Sequence, residues 1–180
     1  GDLDDLNAAL RNGRPHLTPP ALRHMIEGAA ALELASQGHF NPAIGAWVGG
    51  WGFHTDVLRP GAGPDAASIE RWRAQRPSLQ QLRLSGNLIS STSRDVQLDF
   101  GAYAKGVALD WALDRLARHG VRDALLNLGG NLAAMGTIDG RAWQVGIRDP
   151  HGPGLAATVA VHGREAVVTS GSYERWRLVD

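Results

Sequence analysis

Cysteine is absent from the chain, which excludes a zinc–thiolate site, a catalytic thiol and a disulfide framework. An excess of one charge is lacking as well. Eighteen Lys plus Arg face eighteen Asp plus Glu, for a formal net charge of zero. The basic stripe that usually meets nucleic acid is therefore not expected, although a local positive site for an anionic ligand is compatible with that balance. No apolar run approaches the roughly 20 residues of a membrane span. The opening stretch Gly1-Asp2-Leu3-Asp4-Asp5-Leu6 is neither basic nor apolar, so it does not read as a signal peptide, and any targeting segment is expected outside this chain. His16, His24, His39, His54, His119, His151 and His162 form no H-x-x-x-H or H-x-H pair with a carboxylate at metal spacing, and most read as surface residues. A hydrolytic G-x-S-x-G elbow is missing too.

The 180 residues suit one domain with a single core. Thr18-Pro19-Pro20 reads as a hydroxyl cap and prolines opening a helix, with Leu22, Met25, Ile26, Ala29 and Leu32 on its apolar face and Gly38 closing it. A Gly/Trp-rich loop follows from Phe40 to Phe53, then a surface turn, Arg59-Pro60-Gly61-Ala62-Gly63-Pro64. Ala66 to Gln75 fits a short helix stopped by Pro77. Leu82 to Leu84 and Leu88 to Ile89 flank Ser85-Gly86-Asn87 as a hairpin. Val96 and Leu98 lead into Asp99-Phe100-Gly101. Helical spacing then resumes, with Ala104, Val107, Ala108, Trp111 and Leu116 on one face and Gly120 at the end. Strands are expected at Ala124 to Leu128, around Trp143, Val145 and Ile147, at Thr158 to Val161 and at Ala166 to Val168. Helices between groups of strands, with frequent hairpins, predict an α+β fold with mixed or antiparallel sheets.

Three stretches carry candidate chemistry. Asp99 through Asp110 sets a carboxylate, a glycine turn and Lys105 at the opening of a helix, where free N–H groups and the helix dipole attract anions. A bound phosphate would resolve the conflict between Lys105 and that dipole. The plainer reading has Asp99 capping the helix and Lys105 solvated; the spacing matches neither a P-loop nor G-x-G-x-x-G. Asn127-Leu128-Gly129-Gly130-Asn131 is either a plain turn or a close approach to a ligand. Thr169-Ser170-Gly171-Ser172-Tyr173-Glu174-Arg175 offers hydroxyls and amides that bind phosphate or merely cap a turn. Trp47, Trp51 and Phe53 beside Phe40 provide flat surfaces for an aromatic ligand or fill the core.

Taken together and in order, these segments resemble the ApbE family, the FAD:protein FMN transferases. The resemblance rests on Leu6-Asn7, on Gly38-His39-Phe40-Asn41-Pro42-Ala43-Ile44-Gly45 with Trp51-Gly52-Phe53, and on Leu98-Asp99 through Lys105-Gly106 to Asp110. Asn127-Leu128-Gly129-Gly130, Trp143 through Pro150, and Thr169 through Arg175 complete it. It implies an ApbE-like domain over 1–180 that binds FAD between the aromatic loop and the helix opening, with Phe40, Asn41, Asp99, Lys105, Ser170 and Gly171 as cofactor-binding residues. It places Ala102 where the family lends a carbonyl to Mg²⁺, a hard cation suited to oxygen ligands. The implied reaction is attack of an acceptor protein's threonine hydroxyl on the FMN phosphorus, with AMP leaving. The implied partners are flavoprotein subunits of redox complexes, and the implied location is periplasmic, tethered to the inner membrane. A module that binds FAD without catalysis is the alternative. Two departures stand out: Asn41 replaces the family's usual aspartate, and the family's Ser-His-Ile-x-Asp-Pro and Asp-x-x-x-Thr segments are not in this sequence. The catalytic histidine and side-chain metal ligands are thus expected beyond Asp180, and a chain lacking them is expected to bind poorly or be inactive.

Overall fold

The computed structural model of the chain describes residues 1–55 and 63–170. Most of the surface turn at 59–64, together with Gly171 and the residues after it, lies outside that range. Two compact units divide the chain, one holding residues 1–102 and the other beginning at Tyr103.

In the first unit, α1 (Asp2–Arg11) buries Leu6 and Leu10 and carries Asp2, Asp4 and Asp5 in its first turn. Acidic residues there favour a helix start. This helix was not among the expected elements, although Leu6 and Leu10 at i,i+4 marked it. After β1 (His16–Leu17) comes α2 (Pro20–Ala35), whose N-cap is Pro19 rather than Thr18. The Thr18 amide instead donates to the Asn87 carbonyl at 2.8 Å, and its hydroxyl finds no partner among the described residues. Leu22, Ile26 and Ala29 are buried as expected, but Leu32 is 47% exposed and Glu33 takes the inward position. The physical reason is a cap. The Glu33 carboxylate accepts from the Leu79 amide and the Ser78 hydroxyl, each at 3.0 Å. A buried charge is tolerated when it is hydrogen-bonded in this way.

The Gly/Trp-rich stretch is not all loop, since it contains a short helix α3 (Gly45–Gly50). Trp47 stacks on Trp72 of α4 (Ala66–Gln75), with ring centroids 6.1 Å apart. A 3₁₀ turn (Leu79–Gln81) leads to β2 (Leu82–Ser85) and β3 (Leu88–Ser91), which with β1 form an antiparallel sheet of order β1-β3-β2. Ile89 is fully buried at its centre, opposite both His16 and Leu84.

In the second unit, α5 (Ala104–Arg118) packs on an antiparallel sheet of order β4-β5-β8, formed by β4 (Ala124–Leu128), β5 (Asn131–Met135) and β8 (Glu165–Val168). β6 (Trp143–Arg148) and β7 (Leu155–Val161) make a second, two-stranded sheet. Leu109 and Leu113 of α5 pack with Ala124, Leu126, Ala133 and Met135 on one face of the three-stranded sheet. On its other face, Leu125, Leu132 and Ala134 pack with Val145, Val159 and Val161. Burial on both faces explains why these strands are nearly unbroken apolar runs. It also corrects the expected face of α5, because Trp111 is 41% exposed while Leu109 and Leu113 are buried. The strand after Gly129-Gly130 went unexpected because Asn131-Leu-Ala-Ala-Met carries little β-branching. Arg164 Nη1 donates to Asp114 Oδ1 at 2.6 Å and ties the β7–β8 turn to α5. The α+β class with antiparallel sheets is as the sequence indicated.

Candidate functional site

Within the first unit the sequence candidates gather around Asp99. The segment Pro42–Gly45 runs beside residues 97–99: Asp99 N–H donates to the Pro42 carbonyl at 2.8 Å, Gln97 N–H to Ala43 at 3.2 Å, and Gly45 N–H to Gln97 at 2.7 Å. Asn7 clamps the same strand from α1, its amide donating to the Leu98 carbonyl at 2.9 Å and accepting from the Leu98 N–H at 2.7 Å. Arg11 adds a 2.8 Å bond to the Gln97 side chain. Leu98 and Phe100 are buried on either side of Asp99, so alternation turns the carboxylate outward.

The Asp99 carboxylate does not cap α5, contrary to the plainer reading. The N-cap is Tyr103, without a side-chain cap bond. One carboxylate oxygen accepts from the Gly101 N–H at 2.7 Å and the other meets His54 Nε2 at 3.0 Å. His54 is a participant that the sequence does not single out from the other histidines. Forty-five residues separate it from Asp99, and no spacing rule reaches across that gap. Asn7 was legible only as part of the resemblance.

Asn41 spends both ends of its amide on backbone, donating to Pro77 at 2.8 Å and accepting from the Ala43 N–H at 2.9 Å. An aspartate, an acceptor only, would oppose its oxygen to the Pro77 carbonyl. Asn41→Asp is therefore expected to cost about 1.5 kcal/mol of stability, the usual scale for stranding a buried acceptor. An unchanged urea midpoint would contradict this.

In the second unit the strand register brings three candidates to one end of the sheet. The turn between β4 and β5 is Gly129-Gly130, with φ of +57° and +86°. Both residues at positive φ are what a two-residue hairpin turn of this hand requires. Lys105, in the first turn of α5, reaches toward that turn, its Nζ 3.5 Å from the Gly129 carbonyl. β8 pairs Val168 with Asn131, so the chain leaves β8 for Thr169 and Ser170 beside the same glycines. The space there is open: a Cβ added at Gly106 or Gly130 would meet no atom within 4 Å. Burial is the larger cause, and Asp110 the smaller, that pushes the Tyr103 phenol above its ordinary range.

Phe40 is half-buried at the start of the 40–45 segment, its amide donating to Ser36 Oγ at 3.0 Å. Ala102 is exposed, and its carbonyl accepts no backbone hydrogen bond among the described residues. No group of three or more His, Asp or Glu among those residues is placed to hold a metal ion. One hard carbonyl falls short of the set Mg²⁺ usually takes from carboxylates, water and phosphate. The described residues therefore do not fit the ion by themselves. Gly171 lies outside them.

The family model described as "ApbE family" matches residues 1–179. A protein called FAD:protein FMN transferase from Rhodobacter capsulatus is 40% identical over 176 residues, covering 98% of this chain and 34% of its own length. One of the same description from Treponema pallidum is 34% identical over 179 residues, covering 90% of this chain and 48% of its own length. Among solved structures, the apo form of a Pseudomonas stutzeri flavinyl transferase ApbE superimposes with a TM-score of 0.78 at 29% identity, over 98% of this chain and 56% of that one. The ApbE protein of Thermotoga maritima gives a TM-score of 0.81 at 24% identity, over 97% of this chain and 57% of that one. The chain thus spans between a third and three-fifths of the length of these proteins.

Proposed function

This chain belongs to the ApbE family, and on that premise we propose that the protein of which it is part transfers FMN from FAD to a threonine of an acceptor flavoprotein. The threonine oxygen bonds to the phosphorus of the FMN half, the P–O bond to AMP breaks, and AMP leaves with the electron pair. The hydroxyl proton passes to a base that none of the described residues is assigned to supply. What carries the reading is the open end of the second unit, where Lys105, the uncapped first turn of α5 and the Gly129-Gly130 turn meet. Backbone N–H groups and an ammonium facing one space favour phosphate oxygens, and catalysis of such transfers is mostly positioning and charge stabilisation. Asp99, Phe40 and Asn41, with Ser170 and Gly171, enter the proposal as FAD-binding residues through the family resemblance.

Mg²⁺ dependence, with Ala102 as one ligand, enters the proposal through the family resemblance, and no step is derived through the ion. Flavoprotein subunits of redox complexes as acceptors, and a periplasmic, inner-membrane-associated location, enter in the same way. No helix among the described residues is long and apolar enough to cross a membrane.

The test is to incubate the intact protein with FAD, Mg²⁺ and a threonine-containing acceptor peptide. Mass spectrometry should find the peptide heavier by one FMN residue, with AMP released. FAD binding without either product would support the non-catalytic module instead. Lys105→Ala should weaken FAD binding by roughly tenfold, equivalent to about 1.4 kcal/mol. Its stability should hold or rise slightly, since removing a cation from a helix N-terminus relieves about 0.3–1 kcal/mol. A variant that melts early yet binds FAD normally would contradict this.

A further inference from the structure

His54 is the polar side chain near Asp99 that the proposed function leaves without a role. Its Nε2 lies 3.0 Å from Asp99 Oδ2, with His54 about half exposed (52%) and Asp99 less so (23%). A carboxylate only accepts, so the ring nitrogen donates. Room for the ring comes from Gly49, where an added Cβ would stand 2.8 Å from His54 Nδ1. The turn that delivers His54 is itself tied back to α3, Phe53 N–H donating to Val48 at 3.0 Å and Gly52 N–H to Gly49 at 2.8 Å. The backbone of Asp99 is fixed by Pro42, and that of its neighbour Leu98 by Asn7. Gly101 N–H holds Oδ1 at 2.7 Å. Rotation about the Asp99 side chain would break both carboxylate bonds at once.

We propose that His54 is a positioning residue, which locks the Asp99 carboxylate in the one orientation that meets FAD. This rests on the reading of Asp99 as part of the FAD site. Each carboxylate oxygen has a second lone pair, so occupation by Gly101 and His54 leaves an acceptor on each for hydroxyl or imide donors of the ligand. With the side chain already oriented, binding avoids the cost of immobilising it, which is how preorganisation raises affinity.

The experiment compares wild type, His54→Ala and His54→Gln in the intact protein by flavin fluorescence titration and thermal melting. His54→Ala is expected to bind FAD roughly tenfold more weakly, about 1.4 kcal/mol, with an unchanged melting temperature. His54→Gln, which keeps a donor on a similar reach, is expected to recover most of the affinity. Equal affinity in His54→Ala and wild type overturns the proposal, as does a glutamine variant no better than alanine. A ligand-free readout stands beside these: the ¹⁵N signals of the His54 ring should move in Asp99→Asn. Unmoved signals would mean that the pair does not form, whatever the affinities. Wild-type protein that binds no FAD would sink the transferase reading and any role in ligand capture, even with the ring signals still reporting the pair.

Discussion

Asp99→Ala in the intact protein is expected to weaken FAD binding by roughly 30-fold, or about 2 kcal/mol at a tenfold change per 1.4 kcal/mol. The substitution removes the acceptor for both the Gly101 amide and the His54 ring. Hydrogen bonds to a buried charged group are worth about 1.5–3 kcal/mol each, but solvent exposure brings these two down toward the roughly 0.2–1 kcal/mol of an exposed pair. A helix cap is not lost, because the N-cap of α5 is Tyr103 and not Asp99. Stability should therefore fall by less than affinity, by about 1 kcal/mol for the stranded turn. Isothermal titration with FAD beside urea unfolding separates the two quantities. A loss confined to stability would return Asp99 to a structural turn residue. Asp99→Asn should lie between, keeping an acceptor for Gly101 while surrendering the charge.

Replacing Gly45 by alanine should have the largest effect on stability, about 3 kcal/mol, at the upper end of what overpacking costs. A Cβ at Gly45 would stand 2.8 Å from the Gln97 carbonyl oxygen and 3.1 Å from two further backbone carbons, of Gln97 and Leu98. Backbone pinned by Asn7 and Pro42 cannot swing aside as a flexible side chain would. The melting temperature should drop by roughly 6–12 °C, taking about 2–4 °C per kcal/mol for a chain of this size. Affinity for FAD should fall with it, since the pairing that breaks is the one presenting Asp99. A melting temperature within about 2 °C of wild type, small against that range, would show that the two segments part easily and do not fix the carboxylate.

Legibility from the sequence followed the range of each interaction. The hairpin at Gly86-Asn87, the helix of Ala66–Gln75 and the strand of Ala124–Leu128 were all readable. Each is signalled by residues within a few positions, through turn chemistry, capping or a run of one polarity. The inward face of α5 was misread, although its periodicity was clear. Ala104, Val107 and Trp111 form one apolar stripe, and Leu109, Leu113 and Leu116 a second. Only the sheet beneath selects between them. Glu33 is a comparable case: nothing near it announces that a carboxylate will be buried, because the donors that justify it are the Ser78 hydroxyl, the Leu79 N–H and the Gln80 side-chain amide.

The chemistry-bearing residue types and their order are legible along the chain: a carboxylate, a glycine turn and a lysine at a helix start, paired glycines after a strand, and a hydroxyl-rich stretch after another. Those are local facts of covalent connectivity and backbone preference. Folding in three dimensions is what commits Asn41 to Pro77, sets His54 rather than a helix end against Asp99, and brings Ser170 from β8 beside the glycines facing Lys105. Those outcomes depend on strand register and on hydrogen bonds between residues tens of positions apart. Such bonds form only once burial of the core has brought the segments together.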